Sequence, residues 1–168
     1  MENAEKPLTR SMLEMLKAVL AYQLGREAST LLEEGKVKVR QSPATGRIRE
    51  IYISDELIGT IRASDGFFVP TLKGAVKLLK VLPIPRYRVI VEKEAASFIA
   101  QGRTVFCRHV VNADSEIKPG DEVIVVDTEG TLVAVGKAIL SGIEMKSKKV
   151  GKAVKVRKGI SEDLNKNC

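Results

Sequence analysis

The stretch Ile117-Lys118-Pro119-Gly120-Asp121-Glu122-Val123-Ile124-Val125-Val126-Asp127-Thr128-Glu129-Gly130-Thr131-Leu132-Val133-Ala134-Val135-Gly136-Lys137-Ala138 holds the plainest structural signals in the chain. Pro followed by Gly at 119–120 is the order a type II turn favours, because proline presets the first central φ and glycine accepts the positive φ of the second. Glu122 to Asp127 and Leu132 to Leu140 are rich in β-branched residues, and Thr128-Glu129-Gly130 between them closes a hairpin. The stretch therefore predicts β structure with tight turns.

Working outward, a strand is expected at Tyr87 to Val91, a short helix from Lys93 to Ala100, a strand from Thr104 to Val111 after Gly102, and a last strand at Ala153 to Arg157. Many short strands, frequent turns and one small helix indicate a compact, partly closed barrel. Upstream, Val81-Leu82-Pro83-Ile84-Pro85 is kept extended by two prolines and reads as a domain boundary, giving units at 1–82 and 83–160 and a tail at 161–168.

The first unit begins with apolar residues at helical spacing from Thr9 to Glu34, including Met12, Met15, Leu16, Val19, Leu20, Leu24, Leu31 and Leu32. Ser11 with Glu14 fits a capping box, and Gly35 fits a left-handed C-terminal cap. Gly25 inside this span implies either close packing, the simpler reading, or a bend. Strand signals follow at Val37 and Val39, Ile48 to Ile53, Leu57 to Ile61 and Phe67 to Val69, and Thr71 opens a second helix. The fold class expected is α+β: a small N-terminal α/β domain of long helix, short antiparallel sheet and second helix, followed by a β-barrel.

Composition narrows the function classes. There are 28 Lys and Arg against 21 Asp and Glu, a net +7, which favours a polyanionic partner. Aromatics at 4% argue against reading a single strand by repeated stacking. No apolar run approaches membrane-spanning length, and Met1 to Lys6 fits neither a secretory nor a basic targeting signal. Cys107 and Cys168 have no neighbouring Cys or His at metal-ligand spacing, and a chain of this size does not need a disulfide, so a reducing cytoplasm is the expected setting. Cys168 falls on a tail expected to fray. No metal or cofactor is expected, and no nucleophile–base set, P-loop or dinucleotide motif occurs. Asp65-Gly66-Phe67-Phe68 lacks the companions of the kinase metal motif and reads as a turn into a strand.

The densest charge signal is Lys146, Lys148, Lys149, Lys152, Lys155, Arg157 and Lys158, in a span free of acidic residues from Met145 to Ile160. If six of these met phosphates on a duplex stem, the log–log salt slope of binding would be about −5. A solvated basic face is the alternative, although ordinary surfaces mix both signs. Arg47 and Arg49 either extend a basic surface onto the first unit or form the solvent side of an edge strand. His109, the one histidine, shows no partner in the sequence for acid–base or metal chemistry and reads as structural or surface.

Four ordered blocks resemble a PUA domain: Val91-Glu92-Lys93-Glu94-Ala95, Gly102-Arg103-x-Val105-Phe106, Ile117 to Val123, and Ala134 to Ala138. Gly151 to Gly159 resembles the last strand of the archaeal version. Tyr22-Gln23-Leu24-Gly25, Thr45-Gly46-Arg47-Ile48-Arg49 and Ser64 to Thr71 are similar to the domain preceding PUA in archaeal tRNA-guanine transglycosylases and archaeosine synthases. The resemblance implies an RNA partner, most of all tRNA by its acceptor stem and 3′ end, at Gly102, Arg103, Val105, Phe106 and Arg108 with Gly136 and Lys137 opposite. A helix-ending turn is the alternative reading of Gly102. The family's chemistry resides in a TIM barrel of about 250 residues, which this chain cannot contain, so no catalytic residue is expected. A non-catalytic subunit of a split tRNA-modifying enzyme and a ribosome-associated protein adaptor stand as alternatives.

Overall fold

The computed structural model describes residues 5–162 and divides the chain into two compact units that part between Pro83 and Ile84. Cys168 and most of the expected tail lie outside the described residues.

The first unit is a helix, a helical extension and a five-stranded antiparallel sheet in sequential order: β1 (Lys6–Pro7), β2 (Val37–Gln41), β3 (Ile48–Ile53), β4 (Glu56–Ile61) and β5 (Phe68–Pro70). Helix α1 (Arg10–Leu24) starts at Thr9, whose hydroxyl accepts the Met12 N–H at 3.3 Å. The expected Ser11–Glu14 cap does not form, because Ser11 already lies in the first turn. The helix does not run to Glu34. Gly25 turns the chain at φ 107°, a conformation side chains disfavour, and residues Arg26–Glu33 continue as a 3₁₀ segment that buries Ala28, Leu31 and Leu32. The bend reading of Gly25 replaces the packing one, and Gly35 is not the helix cap.

Leu16, Leu20, Leu31, Val39, Ile51, Ile53, Ile58 and Phe68 are all sealed from solvent and make up the core of this unit. Gln23 is buried with them and behaves as one residue of strand: its Nε2 donates to the Phe68 carbonyl and its Oε1 accepts the Phe68 N–H, both at 2.7 Å. Helix α2 (Leu72–Val81) is capped by Thr71 as its sequence predicts and packs so closely on β4 that a Cβ at Gly74 would lie 1.8 Å from the Ile58 carbonyl oxygen. Two turns, Ser42–Arg47 and Arg62–Phe67, share one backbone pattern, each closed by a pair of 2.8 Å bonds with a positive-φ glycine at Gly46 or Gly66.

The second unit is a six-stranded, nearly closed sheet in the order β7 (Val105–Phe106), β11 (Lys152–Gly159), β10 (Leu132–Ala138), β9 (Glu122–Asp127), β6 (Arg88–Val91), β8 (Val110–Ala113). Only β6 and β9 run parallel. The Thr104–Val111 segment, expected as one strand, is interrupted by a 3₁₀ turn at Cys107–His109. The interruption serves closure: β7 pairs β11 at one sheet edge while β8, four residues later, pairs β6 at the other. Helix α3 (Lys93–Ile99) packs on β9 and β10 over a core of Val89, Val91, Ile99, Val105, Ile117, Val123, Val125, Ala134 and Val154.

The turn at Lys118–Asp121 has Gly120 at φ 91° and an Asp121 N–H to Lys118 carbonyl bond of 3.0 Å, as the Pro-Gly order predicts. A further helix, α4 (Gly142–Ser147), lies where none was expected. Ser141 and Glu144 cap it reciprocally, the Glu144 N–H donating to Ser141 Oγ at 3.2 Å and the Ser141 N–H to Glu144 Oε2 at 3.1 Å. These bonds from Ser141, with Lys148 nearby, hold the Glu144 carboxyl below the usual carboxylate range. Among the described residues no helix is long and apolar enough to cross a membrane, and no three His, Cys, Asp or Glu side chains gather as a metal would need.

Candidate nucleic-acid interface

Strand β11 organises the basic surface of the second unit, because it lies between β7 and β10. Lys152 is the register partner of Phe106 on one side, and Lys155 is the register partner of Lys137 on the other. Directly opposed antiparallel residues share a face with Cβ atoms about 4.5–5.5 Å apart, and like charges there are destabilising. Lys137 and Lys155 are both exposed and pair with no carboxylate among the described residues. Lys137 runs its methylene stem past Gly120. These two ammonium groups on neighbouring strands, in no ion pair among the described residues, favour an anion, with Glu122 standing as the register partner of Lys137 on the other side and already held by Arg157.

The seven cations of 146–158 are thereby sorted. Lys149, Lys152 and Lys155 face solvent without a carboxylate partner among the described residues, whereas Lys148 pairs with Glu144 at 3.6 Å and Lys158 with Glu162 at 3.7 Å. Lys146 donates to Ser115 Oγ at 3.2 Å. Arg157 makes two bonds to Glu122, the Nη2–Oε1 one at 2.9 Å. The acid-free run is thus partly compensated, by Glu144 and Glu162 at its two ends and by Glu122, which only the fold brings to Arg157.

The Gly102 region also differs in detail from its sequence reading. Gly102 adopts φ 94°, and the space a side chain would take is filled by Glu162, whose carboxylate would lie 2.2 Å from a Cβ there and accepts the Gly159 N–H at 3.0 Å. Val105 is fully buried and belongs to the core of the barrel, so it offers nothing at the surface. Gly136 is likewise internal to the sheet: at a register shift in β10, its Cβ would fall 2.4 Å from the Lys155 carbonyl oxygen. Arg103, Phe106 and Arg108 are exposed. In the first unit, Arg47 and Arg49 flank buried Ile48 on β3, an interior strand of its sheet, not an edge.

Sequence reasoning missed three contributors. Glu92 and His109 bond through Nδ1, and Arg108 Nε donates to His109 Nε2 at 3.1 Å while its guanidinium lies 5.7 Å from the centre of the Phe106 ring. Phe98, on the outer side of α3, is 58% exposed. Glu92 and His109 are 17 positions apart, so only the fold brings them together.

A nearly closed six-stranded sheet with a small closing helix and a cationic strand face defines a PUA-type barrel behind a separate α+β unit, and residues 87–160 match the PUA domain. Residues 14–85 match the patch-forming domain C2 of tRNA-guanine transglycosylase, so the chain carries the C2–PUA pair and is similar to the C-terminal region of the archaeal enzymes. It is 41% identical over 157 residues to the tRNA-guanine(15) transglycosylase of Pyrococcus abyssi, covering 94% of this chain and 26% of that one. With the Methanothermobacter thermautotrophicus enzyme it shares 42% identity, over 88% of this chain and 22% of the other. The chain thus spans about a quarter of the length of these relatives. Among solved structures, a hypothetical protein from Pyrococcus horikoshii OT3 superposes with a TM-score of 0.76 at 28% identity, covering 98% of this chain and 99% of that one. A conserved PUA domain protein from Thermoplasma acidophilum, at 19% identity, has the same fold with a TM-score of 0.69 over 98% and 99% of the two chains.

Proposed function

We propose that this chain is an RNA-binding protein that docks tRNA, acceptor stem and 3′ end, against the β7–β11–β10 face of its PUA barrel, with no bond made or broken. The observation that carries the reading is the opposed pair Lys137 and Lys155, exposed and in no ion pair among the described residues, continued along β11 by Lys152. Duplex RNA is recognised mainly through phosphates, 2′-hydroxyls and shape, because its deep groove hides the base edges. Arg103 beyond β7 supplies a further phosphate contact. The setting is tRNA modification in the cytoplasm, by similarity to the archaeal transglycosylases. The test is binding of tRNA with and without its terminal CCA: loss of affinity on removing the CCA supports end docking, and equal affinity contradicts it.

A second reading places the same surface in an enzyme complex, with the chain as tRNA-holding subunit of a split transglycosylase or archaeosine synthase. It is favoured by similarity that runs through both units yet meets only a quarter of the relatives' length. Restoration of activity to a barrel-only transglycosylase by this chain would support it.

A further inference from the structure

A cavity of about 300 Å³ opens beside the cationic strip, between α3 and the segment that leads through β7 to His109. Ligand pockets run from roughly 300 to 1,000 Å³, so this one admits a single nucleotide unit and excludes a helix. Two of its walls are phenyl rings left to solvent, Phe98 at 58% and Phe106 at 38% exposure. Arg103 and Arg108 line it too, and both are exposed. Arg108 is not a loose side chain: His109 accepts its Nε–H, and because that nitrogen is the acceptor, Nδ1 carries the proton donated to Glu92. The relay from Glu92 through His109 fixes the guanidinium against Phe106.

One lining residue decides the occupant. Glu94 is the sole carboxylate among those that line the cavity, and it opposes phosphate and any acidic peptide. It suits a group that donates hydrogen bonds. Adenine, cytosine and guanine each present an exocyclic amino group, whereas uracil has none and offers only its N3–H, set between two carbonyl oxygens that a carboxylate repels.

We propose that this cavity is a subsite for one unstacked nucleobase bearing an exocyclic amino group. The base stacks on Phe98 and Phe106, its amino group donates to Glu94, and its flanking phosphate meets Arg103 and Arg108. The strand then continues over Lys152, the register partner of Phe106. The inference rests on the RNA-binding reading above and adds the base preference to it.

The experiment is fluorescence anisotropy of the full chain with 5′-labelled hexanucleotides of adenosine, cytidine and uridine at low salt, beside unmodified tRNA. Adenosine and cytidine oligomers are expected to bind at least about fivefold tighter than uridine. Phe98→Ala, at an exposed position, is expected to weaken the adenosine oligomer about 5- to 150-fold, the equivalent of roughly 1–3 kcal/mol per stacked base. Glu94→Gln should erase the preference, since an amide both donates and accepts. Equal binding of the three oligomers, or no effect of Phe98→Ala, overturns the subsite. If Lys155→Glu still weakens tRNA in that case, docking by phosphate contact survives. If neither oligomer nor tRNA binds, both readings fall.

Discussion

Arg157 on β11 reaches past β10 to hold the carboxylate of Glu122 on β9 with two guanidinium N–H groups, and Glu122 is all but sealed, its side chain 2% exposed against 41% for Arg157. The pair pins three neighbouring strands of the barrel, and Glu122 is the register partner of Lys137. A residue that looked like one more phosphate ligand in a lysine-rich run is instead committed to the fold.

The asymmetry in burial sets the outcome of breaking the pair. Arg157→Ala leaves a buried carboxylate without its two donors, and removing one partner of a buried pair costs about 3–5 kcal/mol. Because Arg157 is open to water, about 2–3 kcal/mol is expected here, read as a lower urea midpoint. Glu122→Gln, which keeps the shape and one acceptor, should cost less than Arg157→Ala.

Gln23 offers a second stability test. It satisfies both backbone groups of Phe68, so Gln23→Leu leaves a buried N–H and a buried carbonyl stranded, at about 1–3 kcal/mol each. Chemical denaturation should show a loss of roughly 2–6 kcal/mol in the first unit.

Some of this architecture is legible in the sequence and some is not, and the division follows locality. The Pro119-Gly120 turn, the Thr71 cap and the β9–β10 hairpin are written within a few residues, and the structure has all three. Helix α4 was within reach too, since Ser141 and Glu144 stand at capping-box spacing, but six residues are too few to show a helical period. Gly25 is ambiguous because its positive φ is set by how the 3₁₀ segment packs. The split of β7 from β8 depends on partners at opposite sheet edges, and the Glu122 carboxylate that holds Arg157 comes from 35 residues away, whereas Glu144 and Glu162 stand four residues from Lys148 and Lys158 at the two ends of the basic run. Charge density along the chain therefore overstates the number of cations left for RNA.

Tyr87 makes stability depend on alkaline pH. Burial above all pushes its phenol up to about 12, with Asp121 and Asp114 adding to the shift and Arg86 opposing it. The folded state thus holds the proton more tightly than the unfolded chain, whose tyrosine titrates near 10. Stability from this source is complete below about pH 10 and is lost as the pH rises towards about 12. Tyr87→Phe should flatten the stability profile in that window, measured by denaturation at each pH.

The sorted cations predict unequal effects on binding. Lys137→Ala and Lys155→Ala should each reduce the salt slope of tRNA binding by about 1, the signature of one lost phosphate contact. Lys148→Ala should leave the slope unchanged, because that ammonium is already shared with Glu144.

The central claim is that phosphates of tRNA sit on the unpaired lysines of β10 and β11, and titration of unmodified tRNA with the full chain at several salt concentrations tests it most directly. Five contacts, at Arg103, Lys137, Lys149, Lys152 and Lys155, predict a log–log slope of about −4.5, falling to about −2.7 in a Lys137→Ala/Lys155→Ala variant that melts normally. A slope near zero, or one the double variant leaves unchanged, would contradict the account.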